Sequence, residues 1–366
     1  MDTRHSVTME DGETPRSMLS RACATAKGGW FVLAAMVLMT TQPFLTASTR
    51  TESGGYDYVV MGVTLLAECS KLLISSVMYA CLPASQRTHT QVMMRDIMQF
   101  AVPALVYAAN NNVLFVIMSY TSSTSFQILS AFKTVFTGLL FRVVLKRSLS
   151  GVQYASIILL ASGAAVAHLP GPGDAAECGS GDASGEPPSS NTAWIGDLLT
   201  IMSCVLSAFA GIYSELLLKK DGGRHSLHLQ NIMLYSWGVV FNSVAIAIRD
   251  HKTISANGFF HGFAPLVWLL VANNAFNGLA ISAVLKFADN IVRVFAHAAA
   301  MLLTMMLEAV FTSSTAATAT ANLLVSIVVV GTATVLYAQS GVPRPIRQAT
   351  DLVEMIGDSR ACRTSV

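Results

Sequence analysis

The chain is a succession of long apolar runs separated by short polar connections. Each run has roughly 20 residues, the length that an α-helix needs to cross a hydrocarbon layer. The pattern predicts an all-α polytopic membrane protein with ten transmembrane helices, at 30–49, 58–82, 97–118, 123–145, 150–169, 194–218, 229–248, 265–286, 290–312 and 319–340. The composition agrees, with 53% hydrophobic residues, 12% charged residues and a mean hydropathy of +0.54. It excludes an ordinary water-soluble domain.

A polar, Gly- and Pro-rich segment divides the runs into two sets of five. Residues 170–193 lack an apolar period and are predicted to form a flexible loop between a first half at 30–169 and a second half at 194–340. The ends, 1–29 and 341–366, are polar tails, of which the first is predicted to be disordered. Because five is odd, two similar halves insert in opposite orientations. We therefore predict two inverted five-helix repeats, with a ligand site between them near mid-membrane.

Positive charge is concentrated on one side of this topology, although the net charge is only +2. With both ends on the same side, the segments on that side hold 18 of the 23 Lys and Arg residues, and the opposite connections hold three. By the positive-inside rule, both termini are predicted to be cytosolic and residues 170–193 lumenal.

Ionisable residues inside the predicted helices point to function. Lys133 lies ~10 residues into the fourth helix, ~15 Å deep in a layer ~30 Å thick. An ammonium there costs at least about 2.5 kcal/mol, and no acid on its own helix offsets it, which indicates a water-filled site for an anion. Glu68 and Lys71 are three residues apart and can neutralise each other. A structural ion pair and a gate or substrate contact are equal alternatives for them.

Amide side chains lie near the depth of Lys133. Asn110, Asn111 and Asn112 follow one another in the third helix, where amide donors and acceptors suit the recognition of a nucleobase edge. Asn273, Asn274 and Asn277 occupy the eighth helix, the counterpart of the third in the second half. This faint similarity supports the two-half architecture.

No motif indicates catalysis, a metal or a cofactor. The sequence has no Walker loop, HExxH, GxSxG or dinucleotide fingerprint, and its eight histidines and six cysteines show no metal-ligand or disulfide framework. We predict neither an enzyme nor a metal or cofactor site. Without a phosphate-binding loop for ATP, a gradient or an exchange reaction must supply the energy for transport.

Six motifs, in this order and spacing, resemble the nucleotide-sugar transporters of the Golgi and endoplasmic reticulum, within the drug/metabolite transporter superfamily. The likeness is closest to the branch of CMP-sialic acid and UDP-galactose transporters. The motifs are AECSKLL (67–73), VYAANNNVLF (106–115), SFQILSAFK (125–133), FAGIYSELLLK (209–219), SLHLQNIMLY (226–235) and LKFADNIVRVF (285–295).

The resemblance implies exchange of a cytosolic nucleotide-sugar for lumenal nucleoside monophosphate by alternating access, in the Golgi membrane or, as an alternative, the endoplasmic reticulum. Lys133 and Lys286 then match the cations that meet the phosphates. The other matching positions are Asn111 and Asn112 near the base, Tyr107 beside it, Gln127, Tyr213 and Asn231 at further polar positions, and the pair Glu68 and Lys71. We expect membrane lipid, and not nucleic acid, as a partner. A homodimer is compatible with this prediction.

Departures from the family pattern leave the substrate open. Phe126, Ala131, Gln230, His297 and Glu308 replace the residues usual at their positions, so UDP-galactose, UDP-N-acetylhexosamines and CMP-sialic acid all stay as candidates. Two other functions stay open as well. An exporter of phosphorylated sugars or other organic anions needs the lysines but not the Asn-rich helix, and a non-transporting membrane scaffold packs these groups against one another in a dry bundle.

Overall fold

The computed structural model describes residues 15–49, 51, 56–83, 92–118, 120, 123–169, 193–219, 225–311, 317–340 and 344–345. Of these, the backbone alone is described at 15–28, 111–112, 114–115, 118, 123–125, 127, 147–148, 193, 308–311, 317–320 and 344–345. The described chain is helical apart from one pair of two-residue strands.

Twelve helices are present in the described ranges: α1 Pro15–Ser48, α2 Val60–Ala80, α3 Met94–Met118, α4 Ser123–Ser130, α5 Phe132–Val144, α6 Gly151–Ala167, α7 Ala193–Lys219, α8 Leu227–Arg249, α9 His251–Asn257, α10 Pro265–Phe287, α11 Asn290–Phe311 and α12 Ala317–Gln339. The strands are β1 Arg147–Ser148 and β2 Arg344–Pro345. Each predicted apolar run is helical. Local signals fix several starts, such as the capping box of Ser150 and Gln153 at α6 and Pro265 in the first turn of α10.

Seven of the described helices contain a segment long and apolar enough to cross a membrane: Gly29–Ser48, Val60–Ala80, Trp194–Lys219, Leu227–Arg249, Pro265–Phe287, Asn290–Leu307 and Ala321–Gln339. Gly151–Ala167 is apolar but shorter. The protein is therefore an all-helical, multi-pass membrane protein, as predicted. The count of ten spans stays a prediction.

Two predicted boundaries differ from the structure. The first helix begins at Pro15, so residues 15–29, predicted to belong to a disordered tail, are helical. Good helix formers such as Met, Leu, Arg and Ala continue the helix there beyond the apolar run. The predicted fourth helix is divided at Ala131 into α4 and α5. Around this residue, backbone hydrogen bonds join residues three apart. The Ala131 amide donates to the Ile128 carbonyl, and the Thr134 amide donates to the Ala131 carbonyl.

Helices of the two halves pack against each other throughout the bundle. The helix α1 packs on α10 and α11, α2 on α8 and α10, and α3 on α7 and α8. At the other side, α5 packs on α6 and α7, and α12 on α6 and α11. The largest buried apolar cluster joins α5, α6, α7, α11 and α12 through Phe141, Ile157, Leu160, Ile212 and Leu302.

The two short strands connect distant parts of the sequence at one end of the bundle. They pair antiparallel, with Arg147 opposite Pro345 and Ser148 opposite Arg344. The chain that follows α12 therefore lies at the same end of the bundle as the connection between α5 and α6.

Candidate functional site

A cavity of about 230 Å³ lies between helices of both halves. Its walls come from α2 and α3 of the first half and from α7, α8, α10 and α11 of the second. The polar and charged wall residues are Glu68, Lys71, Tyr107, Ser214, Tyr235, Asn242, Ser282 and Arg293. The site is thus a partly open cavity between the halves, with polar and charged side chains set in a largely apolar wall.

Two cations from different halves lie near each other, and one of them, Arg293, is on the cavity wall. Lys133, the second residue of α5, is half-buried, and the guanidinium of Arg293 on α11 lies within electrostatic range of its ammonium group. Within the described chain, neither cation has a carboxylate oxygen within the 4.0 Å of an ion pair. The Arg293 Nε atom is buried and, among the described groups, has no hydrogen-bond acceptor. The pair therefore presents unneutralised positive charge.

His297 lies near these two cations. It follows Arg293 by one helical turn, so both side chains leave α11 on the same face. Its imidazole is within electrostatic range of both Lys133 and Arg293, and its side chain is exposed although Ala296 and Ala298 on either side are buried.

A buried carboxylate holds the start of α11 and so positions Arg293. Glu215 on α7 is fully buried, accepts a hydrogen bond from the Asn290 amide at 2.8 Å, and pairs with Lys219 at 2.7 Å. Lys219 also donates to the carbonyl of Ala288. Lys219 thereby neutralises the Glu215 carboxylate, and the negative charge of Glu215 also complements the positive end of the α11 dipole.

The predicted pair Glu68 and Lys71 forms on the cavity wall, with Nζ 2.6 Å from Oε1. The Lys71 ammonium also lies 4.5 Å from the centroid of the Tyr235 ring, a cation–π contact. The Tyr235 hydroxyl donates to the Gly278 carbonyl at 3.2 Å and is 2.7 Å from Ser282 Oγ. The pair is neutral, anchored by two other helices, and accessible from the cavity.

Comparison with known proteins gives the family of this chain. A sequence model described as "Nucleotide-sugar transporter" matches residues 26–338. The chain belongs to the nucleotide-sugar transporter family. One relative is the CMP-sialic acid transporter 1 of Oryza sativa subsp. japonica, 36% identical over 288 residues, which cover 76% of this chain and 85% of the relative. Another is the UDP-N-acetylglucosamine transporter of Rattus norvegicus, 29% identical over 286 residues, covering 75% and 85%.

The fold of this nucleotide-sugar transporter also resembles a solved crystal structure. The two chains superpose with a TM-score of 0.59 at 12% sequence identity, over 86% of this chain and 96% of the other. At that identity the likeness shows the fold alone.

Lys286, predicted to be the second phosphate-binding cation of the transporter, lies elsewhere. It donates to Gln230 Oε1 at 2.6 Å and to the His225 carbonyl at 2.9 Å, and it is not part of the cavity wall. Gln230 in turn donates to the carbonyls of Leu217 and Leu218. In this structure Lys286 joins α10 to α8 and α7.

Sequence reasoning did not select Arg293 as a site residue, although the predicted helix at 290–312 contains it. A capping residue marks the start of this helix. Asp289 accepts a hydrogen bond from the Val292 amide at 2.7 Å, the geometry of an N-cap residue, so the helix starts at Asn290 and Arg293 belongs to its first turn.

The remaining predicted site residues occupy different surroundings. Tyr107 is on the cavity wall, Tyr213 stacks on Phe209 with ring centroids 5.6 Å apart, and Asn231 is buried, with an Oδ1 that has no donor among the described groups. Asn111, Asn112 and Gln127 lie in α3 and α4, and their side chains, like that of Glu308, are outside the described residues.

Gly278→Ala is expected to destabilise the transporter by about 1–3 kcal/mol, the usual range for overpacking a close contact. A Cβ atom there would lie 2.6 Å from Lys71 Cδ and 3.1 Å from its ammonium nitrogen, so the pair with Glu68 would have to move. Gly331→Ala in α12 is the matched control, because its Cβ would meet nothing within 4 Å. Thermal unfolding of both variants in detergent measures the difference. Equal midpoints would mean that Lys71 shifts without loss.

Proposed function

We propose that this protein is a nucleotide-sugar antiporter of the Golgi membrane, which carries a cytosolic nucleotide-sugar into the lumen in exchange for nucleoside monophosphate by alternating access. The observation that carries the proposal is the approach of Lys133 to Arg293, one cation from each half and the second on the cavity wall, without a described carboxylate to neutralise them. In a low-dielectric bundle such charges raise each other's energy, and the phosphates of a bound substrate offset this repulsion.

The proposed substrate contacts follow from the same geometry. Lys133 and Arg293 meet the phosphates, and Tyr107 contributes to the wall of the cavity. We keep Asn111, Asn112, Gln127, Tyr213, Asn231 and Lys286 as proposed contacts on the strength of the motifs that they match. The protein acts as a carrier and not as an enzyme.

The proposal includes ten spans in two inverted five-helix repeats. If α4 and α5 form one span and α9 lies outside the set, the series α1, α2, α3, α4–α5, α6 matches the series α7, α8, α10, α11, α12. The packing partners then follow a two-fold relation. The α1–α10 contact corresponds to α7–α3, α1–α11 to α7–α5, and α2–α10 to α8–α3. This exchange of equivalent partners supports the repeats.

A scaffold protein is less consistent with the described groups. A dry scaffold would neutralise its interior charges within the bundle, as Glu215 and Lys219 do. Lys133 and Arg293 lack such a partner in the described chain, and Arg293 is on the wall of a cavity. That difference favours transport.

Uptake by liposomes that contain the purified protein tests the function. We expect saturable uptake of at least one of CMP-sialic acid, UDP-galactose and UDP-N-acetylglucosamine, and competition by the nucleoside monophosphate of the same base. Protein-free liposomes are the control. Uptake of sugar phosphates alone would favour an organic-anion exporter, and uptake of none of these compounds would contradict the proposal.

Both termini are expected to be cytosolic and the loop at 170–193 lumenal. The unequal distribution of Lys and Arg between the two sides predicts this orientation. The strand pair supports it for the C-terminal segment, because β2 pairs with β1 in the positively charged connection after α5. Epitope tags at each end should be detected after permeabilising the plasma membrane alone. A tag inserted in the loop should need permeabilised Golgi membranes, and tags at the two ends that appear on different sides would refute the topology.

A further inference from the structure

Polar residues in the last third of α1 form hydrogen bonds with α10 across the boundary between the halves. Thr41 Oγ1 donates to Asn273 Oδ1 at 3.0 Å, and Asn273 Nδ2 donates to the Leu38 carbonyl at 3.1 Å. One turn further along α10, Asn277 Nδ2 donates to Gln42 Oε1 at 3.2 Å. These two asparagines therefore join α10 to α1.

The same part of α1 also contacts α11. Thr304 Oγ1 donates to the Thr40 carbonyl at 3.2 Å, and Thr40 Oγ1 lies 3.4 Å from the Ala300 carbonyl. We call the six residues Thr40, Thr41, Gln42, Asn273, Asn277 and Thr304 the α1 latch. It joins one helix of the first half to two helices of the second.

The latch lies on the lumenal side of the cavity in the proposed orientation. On α11, Arg293 is ~4.5 Å from the cytosolic start of the helix, whereas Thr304 is ~21 Å from it. On α10, the cavity residues Gly278, Ser282 and Leu285 follow the latch asparagines toward the cytosolic end. On these two helices, the latch thus lies between the cavity residues and the lumenal ends.

Side-chain contacts between the loops continue this closure at the lumenal end. His261 Nδ1 lies 3.2 Å from the Asp57 carbonyl, and the Tyr58 ring packs on Phe263 with centroids 5.9 Å apart. At the cytosolic end, the Phe31 ring of α1 stacks on Phe287 of α10 with centroids 5.7 Å apart, and the two short strands pair. Trp237 also donates to the Ile97 carbonyl, and His225 lies 3.8 Å from Asp96. The described contacts therefore close the lumenal side and also join the halves on the cytosolic side.

A weak point in α1 directly follows the latch. Pro43 lies inside the helix and has no amide hydrogen, so the Met39 carbonyl loses its regular helical donor. Helices bend most readily at such positions. The weakened turn runs from Met39 to Pro43 and so contains the latch residues of α1, which can tilt away from α10 and α11 together with the residues up to Ser48.

We propose that the α1 latch is the lumenal gate of this transporter: its hydrogen bonds hold the lumen-closed state, and they break as α1 bends at Pro43 to open the cavity to the lumen. This proposal rests on the alternating-access function proposed above. Interhelical hydrogen bonds in membranes are each worth about a threefold factor (about 0.6 kcal/mol). Several together bias an equilibrium without making it irreversible, as a gate requires.

Replacing the latch threonines by the isosteric valine tests the proposal in the full chain. Thr41→Val and Thr304→Val each remove one described interhelical donor. Each variant should shift the ratio of lumen-open to lumen-closed protein about threefold, and the pair about ninefold if the two effects are independent. The matched control is Thr46→Val, because the described bond of that hydroxyl goes to the Gln42 carbonyl of its own helix.

The ratio is measured by electron spin resonance distances between labels at Ser48 and Ala264, exposed positions at the lumenal ends of α1 and α10. We expect a longer-distance population that grows in the latch variants and not in the control. Distance distributions that are identical in wild type, control and latch variants would overturn the proposal. This readout needs no substrate, so a failure of the proposed function would appear separately, as absent uptake by the wild type.

A cross-link provides the reverse test. With Thr41→Cys and Asn273→Cys in a background without native cysteines, oxidation should fasten the gate, stop transport by at least tenfold, and be reversed by a reductant. The reduced form of the same protein controls for folding. Full transport by the completely oxidised form would show that α1 and α10 need not separate, and the gate as proposed would be wrong.

Discussion

Lys133→Ala is expected to abolish transport while the protein still folds and inserts. Hydrogen bonds to charged groups contribute about 1.5–3 kcal/mol each, so losing the ammonium should lower transport at saturating substrate or raise the apparent KM by about ten- to a hundredfold or more. Insertion should become easier, because removing a charge from the membrane interior saves at least about 2.5 kcal/mol. Lys133→Arg should be less harmful, since it keeps the charge but not the shape of the donor.

Uptake into liposomes and the yield of folded protein are measured for each variant. Arg142→Ala is the matched control, because it removes an exposed cation from the same helix. Arg293→Ala should resemble Lys133→Ala, since the two cations lie within electrostatic range of each other. Normal uptake by the Lys133→Ala variant would eliminate the anion site between α5 and α11.

The Lys286→Ala variant separates a binding role from a packing role. The substitution removes the Lys286 ammonium that donates to Gln230 Oε1 and to the His225 carbonyl. We therefore expect a loss of thermal stability that accompanies any loss of transport. The expected difference in stability between the Lys133→Ala and Lys286→Ala variants arises from the different surroundings of the two lysines.

Preloading liposomes with UMP or CMP is expected to accelerate uptake of the nucleotide-sugar several-fold, and only the monophosphate with the matching base should do so. An empty site holds two like charges, Lys133 and Arg293, whose repulsion in a low-dielectric bundle makes reorientation without an anion unfavourable. A bound monophosphate compensates them. The return step should therefore be faster when the site is loaded, and free sugar should not replace the monophosphate.

The measurement compares initial uptake rates into empty, monophosphate-loaded and sugar-loaded liposomes at equal internal osmolarity. The Arg142→Ala variant should show the same acceleration as the wild type. Equal rates into empty and loaded liposomes, with no preference for a base, would contradict exchange and favour a uniporter.

The sequence by itself determined where the helices lie, because the length of an apolar run and the cost of an unpaired backbone in lipid are local properties. It also identified Lys133 as an unusual charge and the pairing of Glu68 with Lys71, since residues three apart share a helix face whatever surrounds them. Membership in the nucleotide-sugar transporter family followed from ordered motifs and is confirmed by the family match.

Only the tertiary structure decided which of these residues meet. Arg293, and not Lys286, approaches Lys133. Asn110, which the pattern had grouped with a ligand site, accepts a bond from Ser203, and Asn273 contacts α1. The reason is that a helix can turn about its own axis without changing its sequence pattern. Its rotation, and hence the partner of each polar side chain, is set by packing against helices far away in the chain.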